Sequence, residues 1–542
     1  MKLLLLNDHY FGEEFDRLGI DTFRIGLTAK NDLQVDPQAQ DFSSLLTQIP
    51  FKPDAILQID SIDKRVFFRG IEKVTIPSAF YAIDTPINEF WQKYYAHAFD
   101  RVYVDQYVQW RRWMANGCDW IRWLPLAADT TIYYPGENER ERDLPVVFIG
   151  TVDSKLRPKR SAILFRLKRM AELKIIDGSG RRSETPLKVA DYYRHAKIVL
   201  NELLFDGINL RTFEAMACGA VVLTQRNRGE ERLFQDGRHL LTYTHKDLED
   251  VVQEALENPK LLQEISRESI KQISQNHTIK HRAVKVLADL AKLNIRKKRH
   301  QISSRLDAAW GCWQASWKWG NSLNGLREES LRILRDNMEQ LDPQRRVVLS
   351  ASLHDLQSAL NTLADLLREN PKNVHARATL ASLSLEHGDY QTAKKILAND
   401  QLETPEELHL AIGDLLSQAG LELTPGFNRI QSPMSQWHAF EHYHYAFSRN
   451  QNSKDALKRI GKLLEKHGAA EFMVPLWQKF HAAHPTDLES MENLRRSAML
   501  GYYLPMQKLG SAKKRYADRP FLTLRRAEER ISTEKHLGGR HR

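Results

Sequence analysis

The spacing of short apolar runs constrains the amino-terminal part of this chain more than any other feature. KLLLLN, DAILQID, IPSAFYAID, RVYVDQ and IRWLPLAAD punctuate the stretch from Met1 to about Pro135, each bounded by Asp, Gly or Pro, with helix-length mixed segments between some of them. Runs of this length and setting read as strands buried on both faces. Their alternation with helical stretches predicts a parallel, doubly wound α/β domain.

The charged stretch PGENERERDLP closes that series, and a second one follows: VVFIGTVD, LKIIDGSG, AKIVLNEL and AVVLT. Two Rossmann-like domains in tandem, residues 1–140 and 141–295, are therefore expected. From Lys246 the apolar positions fall three and four apart, and beyond Gly325 strand signals nearly vanish. There ALNTLADLLRENPKN precedes HGDYQTAKKILAND, and Ala359 and Ala393 lie 34 residues apart. That is the period of a tetratricopeptide repeat. Gly388, Asp389, Tyr390 and Ala393 stand as the G-D-Y-x-x-A that opens a repeat's second helix, and Pro371 sits where a repeat ends. The expected order is completed by a basic, Trp-rich linker helix over 296–325, an all-α tetratricopeptide-like domain over 326–510, and a basic tail over 511–542.

A chain of 542 residues is too long for one core. With 42% hydrophobic and 27% charged residues it is too apolar to be disordered. The formal charge of +10 favours phosphorylated ligands, nucleic acid or anionic membrane alike. No nucleic-acid recognition motif accompanies it, so nucleic acid is not the expected partner. Three separated cysteines, Cys118, Cys218 and Cys312, suit neither a disulfide framework nor a clustered metal site, and point to a reducing cytoplasm. MKLLLLN is cut short by polar residues and reads as a first strand rather than a leader. No run approaches the ~20 apolar residues of a membrane span.

Chemistry concentrates in DGINLRTFEAMACGAVVLT, Asp206 to Thr224. Asp206 falls just past a strand, and Gly207, Ile208 and Asn209 lead into a helix. In open α/β sheets ligands sit at the carboxyl ends of strands, where a helix start offers N–H groups and a positive dipole end to a diphosphate. Gly207 permits close backbone approach, and Glu214 can accept hydrogen bonds from sugar hydroxyls.

The same stretch resembles the E-x7-E segment of retaining glycosyltransferases of the GT-B fold. It is most similar to the spore-maturation CgeB-like subgroup, whose pattern resembles GINLRTFEAMACGA including Arg211. VVFIGT, AFYAIDTP and AFDRVYVDQ with GCDWIRWLPLAAD fall in the matching order, so the resemblance covers about residues 1–290. It implies a nucleotide-sugar in the second domain, an acceptor in the first, Glu214 on the donor ribose, and backbone N–H groups of Ile208, Asn209 and Leu210 on the diphosphate. Asp206 would face the transferred sugar; it stands where the family has glutamate and is one methylene shorter. GT-B enzymes are alike in stabilising the leaving diphosphate with helix termini and cations and without a bound metal, so no metal or other cofactor is expected. Arg160, Lys155 and Arg211 are the candidate cations. Asp84, in YAIDTP, is the acceptor-side candidate to orient or deprotonate a hydroxyl. The implied function is transfer of a sugar to a protein or cell-envelope glycan, and the alternative is a repeat scaffold that senses a nucleotide-sugar without turning it over.

Plainer readings stand beside these. Asp206 could cap a helix, Asp84 a turn before Pro86. His195 has no partner nearby in sequence, and Asp60 to Asp63 reads as a surface turn. Trp310, Trp313 and Trp317 share one helical face after the basic run RKKRH. They either pack the linker helix or form a peripheral membrane contact, while the repeats suggest a protein partner.

Overall fold

The computed structural model describes residues 1–60, 66–136, 142–152, 158–178, 184–203, 207–244, 247–319, 324–353, 355–399, 401–422, 438–466 and 470–500. They fall into two compact units. One comprises Met1–Val147 and Thr185–Ala359; the other comprises Phe148–Glu184 and the described residues from Leu360 on.

In the first unit the chain lays down β1 (Lys2–Leu6), β2 (Asp21–Gly26), β3 (Leu33–Gln34), β4 (Ala39–Asp41), β5 (Ala55–Ile59), β6 (Phe67–Arg69), β7 (Ser78–Ala82), β8 (Arg101–Val104) and β9 (Ile121–Trp123). Seven of these form a sheet in the order β3-β2-β1-β5-β7-β8-β9, and β4 pairs with β6. Every pairing is parallel. Leu3 to Leu6 are fully buried, as are all residues of β7. Strands covered on both faces read as unbroken apolar runs, which is why β1, β5, β7 and β8 were visible in the sequence. β2, DTFRIG, was not: its first four residues are exposed or only partly buried.

Helix Thr85–Tyr95 buries Phe90, Trp91 and Tyr95, and Tyr95 meets Phe67, Phe80 and Phe99 with ring centroids 5.2 to 5.5 Å apart. Helix Ile302–Trp319, the expected linker, packs on this helix. Trp310 and Trp313 are buried, while the side chain of Trp317 lies outside the described residues. Gly311 makes the approach possible, because a Cβ there would lie 2.5 Å from the Tyr95 amide nitrogen and 2.8 Å from the Trp91 carbonyl oxygen. Backbone cannot swing aside, so Gly311→Ala is expected to cost about 1–3 kcal/mol as overpacking, read as a lowered urea midpoint.

The basic run preceding that helix is also largely structural. Arg299 is fully buried; its Nη1 donates to Asp100 Oδ2 at 2.6 Å and to the Ile76 carbonyl at 3.2 Å, and its Nη2 to the Ile71 carbonyl. Arg296 lies over the Trp120 ring at 4.0 Å and donates to the carbonyls of His97 and Phe99. Two of the cations that suggested a membrane contact are thus committed to the first sheet's helices and loops.

Further strands follow in the chain: β10 (Leu144–Gly150), β11 (Leu173–Asp177), β12 (Ala196–Asn201), β13 (Val221–Gln225) and β14 (Leu241–Tyr243). Within the first unit β10, β12, β13 and β14 pair in that order, all parallel. The chain returns from these strands through residues 277–279, which pair with Ala128: the Ala128 N–H donates to the His277 carbonyl and its carbonyl accepts from the Ile279 amide. Arg282, buried, fastens the crossing: it donates to the carbonyls of Pro125, Leu126 and Asn276 and contacts His277 Nδ1 at 2.9 Å. Burial and the neighbouring guanidinium push the His277 pKa down to about 3, so its ring is neutral.

Among its described residues the second unit contains the end of β10, helix Pro158–Leu167 and β11, then helices only. Among these, Val374–Glu386, Tyr390–Leu397 and Pro405–Gln418 pack consecutively. The repeat signature has a physical basis here. Gly388 takes φ +76°, Asp389 caps the next helix by accepting from the Thr392 amide at 3.0 Å, and Ala393 is fully buried. The α/β class with two Rossmann-like sheets and an all-helical carboxyl-terminal region is therefore the one expected.

Candidate functional site

At the carboxyl end of β12, Asn201 is 1% exposed and acts as a hub. Its Oδ1 accepts from Asn209 Nδ2 at 2.7 Å and from Arg211 Nη1 at 2.9 Å, while its Nδ2 donates to the hydroxyls of Thr212 and Thr224. Asn209 in turn caps helix Leu210–Ala217, accepting from the Thr212 amide. The strand end, the helix start and β13 are thereby fixed against one another by polar bonds, all inside the first unit. Asn201 was missed in the sequence; a lone polar residue ending the apolar run KIVLN was its one signal.

Glu214 sits one turn into that helix. Burial pushes its pKa up to about 7, and a hydrogen bond with Tyr133 and the charge of Arg211 hold it from rising further. Burial and the carboxylate together raise Tyr133 well above the usual phenol range, so it remains a hydroxyl donor. Arg211 also hydrogen-bonds Tyr193. Glu214, Arg211 and Asn209 thus come together, with Tyr133, Tyr193 and Asn201 as partners the sequence did not reveal. A carboxylate poised near neutrality beside an arginine can take hydrogen bonds from paired hydroxyls.

The Ile208 amide has another partner than the one expected of it. It donates to Gln106 Oε1 at 2.9 Å, and the Ile208 carbonyl accepts from Gln106 Nε2 at 3.0 Å. The reason for Gly207 also changes: a Cβ at this position would overlap the Gln106 amide, lying 2.9 Å from its Cδ. Leu210 is the first residue of the helix and is exposed. Asp206 and Lys155 lie outside the described residues. Arg160 belongs to the second unit, where it is 7% exposed, donates to the Thr151 carbonyl at 2.9 Å and stacks on Phe148 at 5.2 Å.

Asp84 follows β7 with an exposed side chain and φ +50°, an uncommon conformation for a residue other than glycine. It occupies the cap position of helix Thr85–Tyr95, yet its side chain makes no capping bond. Asp105 does that work, accepting from the amides of Asp84 and Thr85 and from the Thr85 hydroxyl. Burial, then the charge of Asp84, pushes the Asp105 pKa up to about 7. The plain capping reading of Asp84 therefore does not describe its carboxylate.

His195 gains a partner that sequence proximity does not supply, and one other sequence expectation is revised. His195 Nδ1 lies 2.8 Å from Asp143 Oδ1, a partner 52 residues away in sequence. Asp60 is 3% exposed and accepts from Gln92, so it is a buried strand end, and the rest of the expected surface turn, to Asp63, lies outside the described residues.

A cavity of about 750 Å3 opens beyond β1, lined by Asp8, His9, Tyr10, Asp129, Lys280 and His281 among others. A larger one, about 890 Å3, lies at the opposite, amino ends of β12 and β13 around Arg194, Lys197 and Gly219. The first has the position expected of a ligand crevice in an open sheet.

A parallel α/β sheet with a polar-locked helix start at the end of β12 and a partly buried glutamate one turn later defines a class of sites suited to nucleotide-like ligands. Residues 168–288 match a family model described as glycosyl transferase-like, and residues 351–415 match one described as tetratricopeptide repeat. The first match encloses Asn201, Asn209, Arg211 and Glu214, so the stretch that carries this site is similar to that family. None of the curated proteins matches the chain. Among solved structures it is similar to a sucrose-phosphate synthase from Thermosynechococcus elongatus, at 12% identity and TM-score 0.41 over 53% of this chain and 98% of that one. HepE of Anabaena in complex with UDP-glucose gives 12%, 0.40, 54% and 100%. A glycosyltransferase from Rickettsia africae gives 9%, 0.39, 54% and 98%.

Proposed function

We propose that the protein transfers a sugar from a nucleotide-diphosphate-sugar to a protein or cell-envelope glycan, with retention of configuration and without a metal ion. The observation that carries this reading is Glu214, a partly buried carboxylate held by Tyr133 and Arg211 inside the segment that matches the glycosyl transferase-like family model. Glu214 contacts the ribose hydroxyls of the donor, and Tyr133 and Arg211 hold its carboxylate in place. The start of helix Leu210–Ala217 and nearby cations bear the charge that develops on the leaving diphosphate. Asp206 faces the sugar as positive charge builds at its anomeric carbon, and Asp84 receives the acceptor hydroxyl's proton. The helical repeats recruit the acceptor or a protein partner.

The test is a panel of nucleotide-sugars incubated with the protein and a cell-envelope extract, with and without EDTA, following nucleoside diphosphate release and the anomeric configuration of the product. One donor should be consumed, EDTA should change the rate less than twofold, and Asp206→Ala should abolish release. Binding of a donor without release under every acceptor condition would instead favour a sensing scaffold.

A further inference from the structure

We propose that Gln106 is a positioning residue for this reaction: its side-chain amide latches the donor loop at Ile208 to the carboxyl edge of the first sheet, beside Asp84. The proposal rests on the transferase reading and adds a residue that the family pattern does not supply.

Gln106 directly follows Asp105 at the end of β8 and is 7% exposed. Its Oε1 accepts the Ile208 amide at 2.9 Å, and its Nε2 donates to the Ile208 carbonyl and to Asp105 Oδ2, both at 3.0 Å. Two donors and one acceptor are all used. The opposite orientation of the amide would set its oxygen against a carbonyl and a carboxylate, so the surroundings fix the one described. Asp105 also accepts from the Asp84 amide at 2.9 Å. A continuous polar chain therefore runs from the backbone of Asp84, through Asp105 and Gln106, to the residue that precedes the capping Asn209. Buried bonds of this kind hold geometry more tightly than apolar contact, because a broken one leaves an unsatisfied group.

Gly207 completes the device. Its backbone lies close enough to Gln106 that a Cβ would overlap the amide. The obstructing atoms are the far end of a flexible side chain, which can turn away. An alanine here would release the latch and leave the fold standing.

Gln106→Ala, Gly207→Ala and the double variant test this by hydrogen–deuterium exchange at the Ile208 amide together with melting temperature, donor KM and kcat. In Gln106→Ala the Ile208 amide should exchange at least tenfold faster and kcat should fall tenfold or more, with donor KM changed less than threefold and the melting temperature lowered by only a few degrees. Gly207→Ala should reproduce this. The double variant should be no worse than Gln106→Ala, because removing the glutamine removes the clash, a non-additivity that two independent structural losses would not show. Unchanged exchange in Gln106→Ala, faster exchange with unchanged kcat, or additive losses in the double variant would each overturn the proposal. Absence of turnover by the wild-type protein with every donor would sink the transferase reading and the positioning role with it, while exchange would still report whether the contact exists.

Discussion

Glu214→Ala should lower kcat/KM for the sugar donor by about 10- to 100-fold, the loss expected when hydrogen bonds to a charged acceptor worth about 1.5–3 kcal/mol are removed. The loss should fall mainly on KM, since a ribose contact is made equally in ground and transition states. The same side chain carries an opposite effect on stability. Its pKa in the folded protein is raised to about 7 from an ordinary 4.5. Its contribution to stability is therefore fully present below pH 4.5 and is lost as pH rises through 7. Glu214→Gln should accordingly raise the melting temperature of the ligand-free protein at pH 8 and leave it nearly unchanged at pH 4.5. A group that costs stability when ionised and is needed for binding when ionised is a functional group, not a packing one.

The largest stability loss should come from the buried pair Asp100 and Arg299. Both side chains are fully buried, and Asp100 also accepts from the Ser78 amide at 2.9 Å and the Arg296 amide at 2.7 Å. Arg299→Ala would leave the carboxylate without its cation and release the carbonyls of Ile71 and Ile76. Breaking a buried pair by removing one partner costs about 3–5 kcal/mol, which should appear as a large drop in the urea midpoint. Because Arg299 opens the segment leading to helix Ile302–Trp319, that helix should lose protection from exchange in the same variant. A change below 1 kcal/mol would show that this segment is not anchored as described.

What the sequence disclosed follows from burial. β1 and β7 are buried along nearly their whole length and appear as apolar runs, whereas β2 begins exposed and carries Asp21 and Arg24 among its six residues. The repeat region announced itself through Gly388, Asp389 and Ala393, three residues whose backbone and packing demands are local. Helix Leu210–Ala217 was legible for the same reason, since Asn209 caps a helix that begins at the next residue. The groups that tune the site were not. Tyr133 reaches Glu214 from 81 residues away and Gln106 reaches Ile208 from 102, with no local pattern to mark either. The linker tryptophans allowed two uses from sequence, and Gly311 decides for packing in a way only the facing backbone of Trp91 and Tyr95 reveals.

The measurement that tests the central claim most directly is calorimetric titration of an intact nucleotide-sugar into wild-type protein and Glu214→Ala at pH 8 and pH 6. The diphosphate of such a donor is esterified at both ends and does not titrate in this range, so a pH effect belongs to the protein. With a pKa of about 7, Glu214 is mostly ionised at pH 8 and mostly protonated at pH 6. The predicted result is an affinity that falls about tenfold from pH 8 to pH 6 in the wild type, and an affinity in Glu214→Ala that is weak and flat with pH. Equal affinity of the two proteins at pH 8 would contradict the assignment of Glu214 to the donor and, with it, the placement of the nucleotide-sugar at this helix.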